Sequence, residues 1–439
     1  MIILLQIISL CINTLILSNV LSKIKNNLRI THAVLLIFQV IFVFPIVLEW
    51  LFGIQDYRYK SLGFHQALND NTTNIIYSLF IILVPLLFFF SIKKNNSKGI
   101  IVEDIRSIIL NLRISRGLYV ISFTLMFLPF LLALISPSPD KYLAHYAYFQ
   151  RFRRLATEAE LWYHSNIMSI GGFIALIFIL ITKLFSKNSK LDNFVIYCAA
   201  IITGVLNGKR TVLAFIIFGI LAVDILKSPK GKFPIKKTII SGIFIVLFFI
   251  GYAFLMDKHA ANVTIIDNLR LYFFRDIDVK FSIYALLNPE EYRILDYWGQ
   301  SYLFNILFYI PRSFWPNKPY PYDIYVTAAA LGYPPGTILS WNFQTSIFGE
   351  ALSNLGWYGI PFILILINKF IKVSERSRNP IINILCLFII MFSFMNHFGT
   401  WRNYFIIWLF LCVSNKVKLK STSKKRITKK LKNNGVKIL

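Results

Sequence analysis

Residues 310–359 read IPRSFWPNKPYPYDIYVTAAALGYPPGTILSWNFQTSIFGEALSNLGWYG, and the reading of this stretch decides the fold. It closes one long polar interval in a chain that is otherwise a series of apolar runs. It sets Arg312, Lys318 and Glu350 among prolines and aromatic rings, just before another apolar run. Prolines at 311, 316, 319, 321, 334 and 335 exclude long helices there and favour an extended, fixed path. Trp298, Trp315 and Trp341 suit a membrane–water interface, where an amphipathic ring sits well. A polar segment of this kind between hydrophobic helices builds a site at the membrane boundary.

Working outward, apolar runs of helix-spanning length recur at about 1–21, 33–52, 74–92, 118–136, 166–185, 193–207, 211–226, 238–256, 345–368, 381–395 and 402–415. About 20 apolar residues cross a bilayer as a helix. The chain is 56% hydrophobic with a mean hydropathy of +0.61. The expected fold is therefore all-α, a polytopic membrane protein with about 11 transmembrane helices (10–12). Residues 1–415 form one transmembrane domain, interrupted by outside loops 136–165 and 257–345. Residues 416–439 form a basic cytoplasmic tail, disordered and held near anionic lipid. The first run lacks a basic lead and a small-residue cleavage site, so it reads as a retained helix. Within the second loop, 265–287 alternates apolar and charged residues at helical spacing. That predicts an amphipathic helix lying along the membrane surface.

The net charge of +27 is an orientation signal. With the N-terminus outside, segments 22–32, 93–117, 183–192, 227–237, 369–380 and 416–439 are cytoplasmic and hold 31 of the 47 Lys and Arg residues. Fifteen of the 20 acidic residues lie on the other side. This is the positive-inside asymmetry, and it leaves no surplus for a nucleic-acid partner. Cys11, Cys198, Cys386 and Cys412 all fall inside apolar runs, and none is placed for a metal site.

Five groups of residues carry candidate chemistry. Lys209 and Arg210 sit in a tight turn between two short apolar runs, as a clamp on an anionic lipid headgroup or as a snorkelling hairpin tip. Arg312 and Lys318 stand on rigid backbone, suited to phosphate recognition or to anchoring the loop on lipid phosphates. Glu350 lies at the end of an apolar run, as a base towards a hydroxyl or as a structural partner of Arg312 or Arg402. His397 and Arg402 share an outside turn, the first able to exchange protons near neutral pH, the second able to bind phosphate. Asp276-Ile-Asp278 looks like a metal-holding Asp-x-Asp element, but on a helix these positions face different sides, so it reads as chance.

The layout resembles that of the Wzy-type O-antigen and capsule polymerases, the bacterial oligosaccharide repeat-unit polymerases. The resemblance rests on the Gly-Lys-Arg turn at 208–210, on Ile-Pro-Arg-Ser-Phe-Trp-Pro-Asn-Lys-Pro at 310–319, and on Gly349-Glu350 with Asn354 and Gly356. It implies a layout shared with lipid-linked-sugar glycosyltransferases and O-antigen ligases. It also implies transfer of a glycan from undecaprenyl diphosphate onto another lipid-linked repeat, at the outer face of the bacterial plasma membrane. The Arg-x(10)-Gly elements that some members carry do not follow Arg151, Arg153, Arg154, Arg270, Arg275 or Arg312.

Under this resemblance an acceptor hydroxyl attacks the anomeric carbon, and cations steady the departing diphosphate. Arg210, Arg312, Lys318 and Arg402 are the expected cations, with Lys209, Arg270 and Arg275 in reserve. Glu350 is the expected base, followed by His397 and Glu158. Trp315 is expected beside the substrate. No cofactor or metal is required. Expected partners are the undecaprenyl-diphosphate-linked oligosaccharide, membrane lipids, a chain-length regulator and a repeat-unit flippase. An O-antigen ligase and a lipid-linked oligosaccharide flippase or transporter are the alternatives.

Overall fold

A computed structural model describes residues 2–24, 29–53, 61–94, 115–144, 157–186, 189–207, 275–339, 342–377 and 380–414, with single positions between 216 and 270. The described residues are helices and loops, without a strand. Lys209, Arg210, the arginines at 151–154, Trp341 and the 416–439 tail fall outside them. Among the described residues, six helices are long and apolar enough to cross a membrane, or seven if the bent pair Arg116–Leu125 and Leu128–Leu134 counts as one span. Most of 211–226 and 238–256 is outside the described residues. The runs at 381–395 and 402–415 are present as helices of 16 residues and of 398–414.

The chain divides into two compact units, Met1–Ile101 with Ile266–Leu439, and Val102–Ile265. In the second unit the helices Glu158–Phe185 and Lys190–Asn207 pack around Ala133, Tyr142, Met168 and Leu206. Thr157 and Glu160 form a capping box, and Glu160 also pairs with Lys141 at 2.6 Å. Lys183 and Asp224 form a buried ion pair at 3.0 Å.

The first unit carries the long polar segment. Its helices are α1 (Ile2–Ile24), α2 (Ile30–Phe52), α3 (Leu62–Asn69), α4 (Asn71–Lys94), α5 (Asp276–Leu287), α6 (Gln300–Ile306), α7 (Tyr322–Ala330), α8 (Ile347–Leu355), α9 (Gly359–Arg376), α10 (Pro380–Met395) and α11 (398–414). Phe38, Phe42, Phe80, Phe348 and Phe394 meet at its centre, with Phe348 of α8 5.2–6.1 Å from the rings of α2, α4 and α10. Each such pair contributes about 0.5–1.5 kcal/mol beyond its buried area. A second apolar cluster joins α3, α5 and α7 through Phe64, Phe281, Tyr322, Tyr325 and Phe343. The proline-rich segment thus has a core of its own.

Helix α5 overturns the expectation of a surface helix over 276–287; of 265–274, only Arg270 is among the described residues. Residues on every side of it are buried, Asp276, Asp278, Lys280 and Phe281 among them. A charged helix enters an interior when each charge finds a counter-charge or a dipole. Arg270 bridges Glu49 of α2 and Asp276, and Lys280 Nζ lies 2.9 Å from Glu49. Asp278 has a different partner. Its carboxylate accepts from the backbone N–H and the hydroxyl of Ser346, both at 2.7 Å, and so caps the buried N-terminus of α8. A helix N-terminus carries partial positive charge, so an anion is stabilised there.

Two local irregularities seat this segment. A π turn at Gln39–Val43 loosens α2, and two of its carbonyls accept bonds from outside the helix. The Arg275 N–H reaches the Ile41 oxygen at 3.3 Å, and the Tyr77 hydroxyl reaches the Phe42 oxygen at 2.6 Å. The apolar run over 345–368, where Gly349, Gly356 and Gly359 allow close helix approach or a break, is broken at 356–358, where Gly356 has φ +59°. A Cβ on Gly359 would sit 2.1 Å from the Ala351 oxygen, so α8 and α9 lie against each other rather than end to end.

Candidate functional site

The site grows from the 308–320 loop, which α6 delivers and α7 receives. Trp315 sits half-buried in its turn, with its N–H donating to the Pro311 oxygen at 3.2 Å and its carbonyl accepting from Lys318 N–H at 3.0 Å. Lys318 is buried, and its ammonium donates to the carbonyls of Phe308 and Ile310, both at 2.7 Å. The Arg312 guanidinium donates to the carbonyls of Lys318 and Pro319 at 2.6 and 2.9 Å and lies over the Tyr320 ring. These cations therefore fasten the loop that carries them.

Arg402, from α11, joins them. Its guanidinium stacks 3.4 Å above the Phe308 ring and donates to Asn305 Oδ1 at 3.4 Å. Lys318 is held below the ordinary lysine range, first by its own desolvation and then by Arg312 and Arg402. Three cations thus share one neighbourhood. Among the described residues, no carboxylate lies within 4.0 Å of any of them. The Nε of Arg402 is buried with no hydrogen-bond acceptor. Buried donors are almost always satisfied, and this one has no acceptor among the described residues.

Glu350 stands behind Arg402. It is fully buried, and three donors reach its carboxylate: Ser301 Oγ at 2.9 Å, Asn305 Nδ2 at 3.3 Å and the backbone N–H of Phe398 at 2.6 Å. Asn354, one turn along α8, bonds Ser301 Oγ at 2.8 Å and accepts from the Ser301 N–H at 3.1 Å. Glu350 therefore ties α6, α8 and the 397–400 turn together. The direct pairing with Arg312 or Arg402 that the sequence suggested is replaced by a link through Asn305. In this arrangement Glu350 positions Arg402 and presents no free surface to a hydroxyl.

His397 is likewise engaged at both nitrogens. Its Nδ1 accepts from Gly399 N–H at 3.2 Å, which leaves the proton on Nε2, 3.5 Å from Asp323 Oδ1 and 3.3 Å from Thr400 Oγ1. Desolvation pushes its pKa below the ordinary 6.5; Asp323 opposes that shift and Arg402 adds to it. A depressed histidine binds fewer protons folded than unfolded, so its stability contribution is present above pH 6.5 and is lost as pH falls below it. Thermal unfolding in detergent from pH 7.5 to 5 is expected to show a steeper acid loss in the native chain than in His397→Gln. Parallel curves would remove His397 from this role.

The structure brings together Arg312, Lys318, Trp315, Glu350, His397 and Arg402, all within the first unit. No family model, curated protein or solved structure matches the chain. Arg270 and Arg275, expected near substrate, are fully buried elsewhere. Arg270 belongs to the Glu49 network, and Arg275 donates to the Met395 oxygen at 3.0 Å and to Gln344. Glu158 lies exposed in the first turn of its helix in the other unit. Asn305, Ser301 and Asp323 are participants that the sequence reading missed. The available signal was spacing: Ser301 and Asn305 are four apart, as are Glu350 and Asn354, so each pair shares one helix face. Asp323 is half-buried here, at 22% exposure, with Oδ1 buried and Oδ2 accepting from Asn342 Nδ2 at 3.0 Å.

Proposed function

We propose that this chain is a glycosyltransferase that polymerises lipid-linked oligosaccharide repeat units, for O-antigen or for capsule. In this reading it has about eleven spans in the bacterial plasma membrane, with its N-terminus and the 257–345 segment outside and its C-terminus in the cytoplasm. The observation that carries the proposal is the set of three cations, Arg312, Lys318 and Arg402, gathered without a carboxylate among the described residues and with one orphaned buried N–H. The departing diphosphate is the anion they await. As the acceptor hydroxyl attacks the anomeric carbon, the bond to the diphosphate oxygen breaks and negative charge grows on that oxygen. Fixed donors aimed at growing charge typically lower a barrier by about 3 kcal/mol each. Asp323, held beside His397, is the carboxylate best exposed to take the hydroxyl proton.

The resemblance of residues 310–319 and of the Gly349–Gly356 stretch to repeat-unit polymerases supports the same reading. Deletion in the native host tests it. Single repeats capping the mature lipid are expected. Long chains left on the carrier lipid would instead mark a ligase, and loss of all repeats from the outer face would mark a flippase.

A further inference from the structure

A groove of about 530 Å³ runs between α4 and α9, remote in character from the polar cluster. Its walls are Ile76, Leu79, Leu83 and Leu87 on one side and Ile360 and Leu364 on the other. Ile283 of α5 and Leu352 of α8 line it as well, and Trp357 lies in the break before α9. Every lining residue except Asn368 is apolar. The groove is open along its side among the described residues: Leu79, Leu83, Leu87 and Ile365 remain 43–56% exposed.

α4 is long and apolar enough to cross a membrane, and α9 is the second part of the apolar Ile347–Arg376 stretch, so the open side suits hydrocarbon. Ile76 and Phe88 are twelve residues apart on α4, which makes the groove about 18 Å long at 1.5 Å per residue. Half of a hydrocarbon core about 30 Å thick is about 15 Å. The length therefore matches one lipid chain in one leaflet and is too short to enclose a chain much longer than a leaflet. Trp357 and Tyr358 are 48% and 78% exposed at one end of α9, as rings at a headgroup boundary are.

We propose that this groove is a binding site for one acyl chain of a bilayer phospholipid, held as a structural lipid. A bound chain fills the open gap between α4 and α9. It also presses on Ile283 and Leu352, neighbours in sequence of the Asp278 cap and of Glu350. Lipid binding thereby supports the helices that set the polar site. The proposal stands independently of the chemistry proposed above.

Native mass spectrometry of the full chain in mild detergent tests it, beside the double variant Leu83→Phe/Ile365→Phe. Both residues are exposed, so the substitutions fill the groove without emptying a core. One retained phospholipid per native chain, lost in the variant at unchanged helical content, is expected. Brominated phospholipid should quench the part of the fluorescence that Trp357→Phe removes, and it should fail to quench that part in the filled variant. Equal phospholipid retention in both proteins would overturn the site. So would a prenyl-chain lipid bound in place of phospholipid, or a disulfide-linked dimer through Leu83→Cys that shows a second copy covering the groove.

Discussion

Replacing Arg402 by alanine should cut polymer formation by about a hundredfold while leaving the protein folded in the membrane. The guanidinium makes one long hydrogen bond, to Asn305 at 3.4 Å, and one ring contact, with Phe308. Little stability is lost with it, about 1 kcal/mol. Its worth lies in the buried Nε and the planar fork offered to an anion. Arg402→Lys should recover only part of the rate, because a point charge lacks the fork. Repeat-unit ladders on gels, read beside the membrane level of each variant, check this. A full-length ladder at normal rate from Arg402→Ala would remove the residue from the site. Loss of the protein itself would make Arg402 a folding residue.

The second large effect is on stability, at Gly349. A Cβ there would lie 2.2 Å from Asp278 Oδ2, and that carboxylate is pinned by Ser346 at the head of α8. The Asp278 carboxylate can move aside only by giving up its two bonds to Ser346. Gly349→Ala should cost about 3 kcal/mol or more, the range of overpacking a close-fitted core together with a disturbed cap. Gly117→Ala is the control, since nothing lies within 4 Å of its would-be Cβ. A melting temperature for Gly349→Ala equal to that of the control would contradict the packing described for α5 and α8. Adding Asp278→Ala should return part of the loss, because the clash vanishes with the carboxylate. That non-additivity identifies the contact.

The contrast between these residues shows what was legible in the sequence. The spans at α1, α2 and α4 and the runs ending at 185 and 207 stood out because a membrane demands a contiguous apolar run. Glu350 and Arg402 stood out because an ionisable group at the end of a span is expensive. The burial of α5 was not legible. Its alternating charges mimic an interfacial helix, and their partners lie far away: Glu49 is 221 positions from Arg270, and Ser346 is 68 from Asp278. Nothing local distinguishes a charge that meets water from one that meets a counter-charge. The π turn in α2 was hidden for the same reason, since the groups that use its carbonyls, the Arg275 N–H and the Tyr77 hydroxyl, are supplied by other helices. Arg312 and Lys318 were placed correctly in the loop. Their carbonyl partners depend on how that loop folds back on itself, and residue type does not report that.

The account rests most heavily on the cation group acting on a lipid diphosphate. The direct measurement uses purified chain in liposomes supplied with an undecaprenyl-diphosphate-linked repeat unit, with polymer length and released diphosphate lipid followed over time. The native chain should build a ladder and release one lipid diphosphate per linkage. Arg402→Ala and Arg312→Ala should each slow both readouts together. Absence of polymer from the stable native chain, or equal rates from all three proteins, would contradict the account.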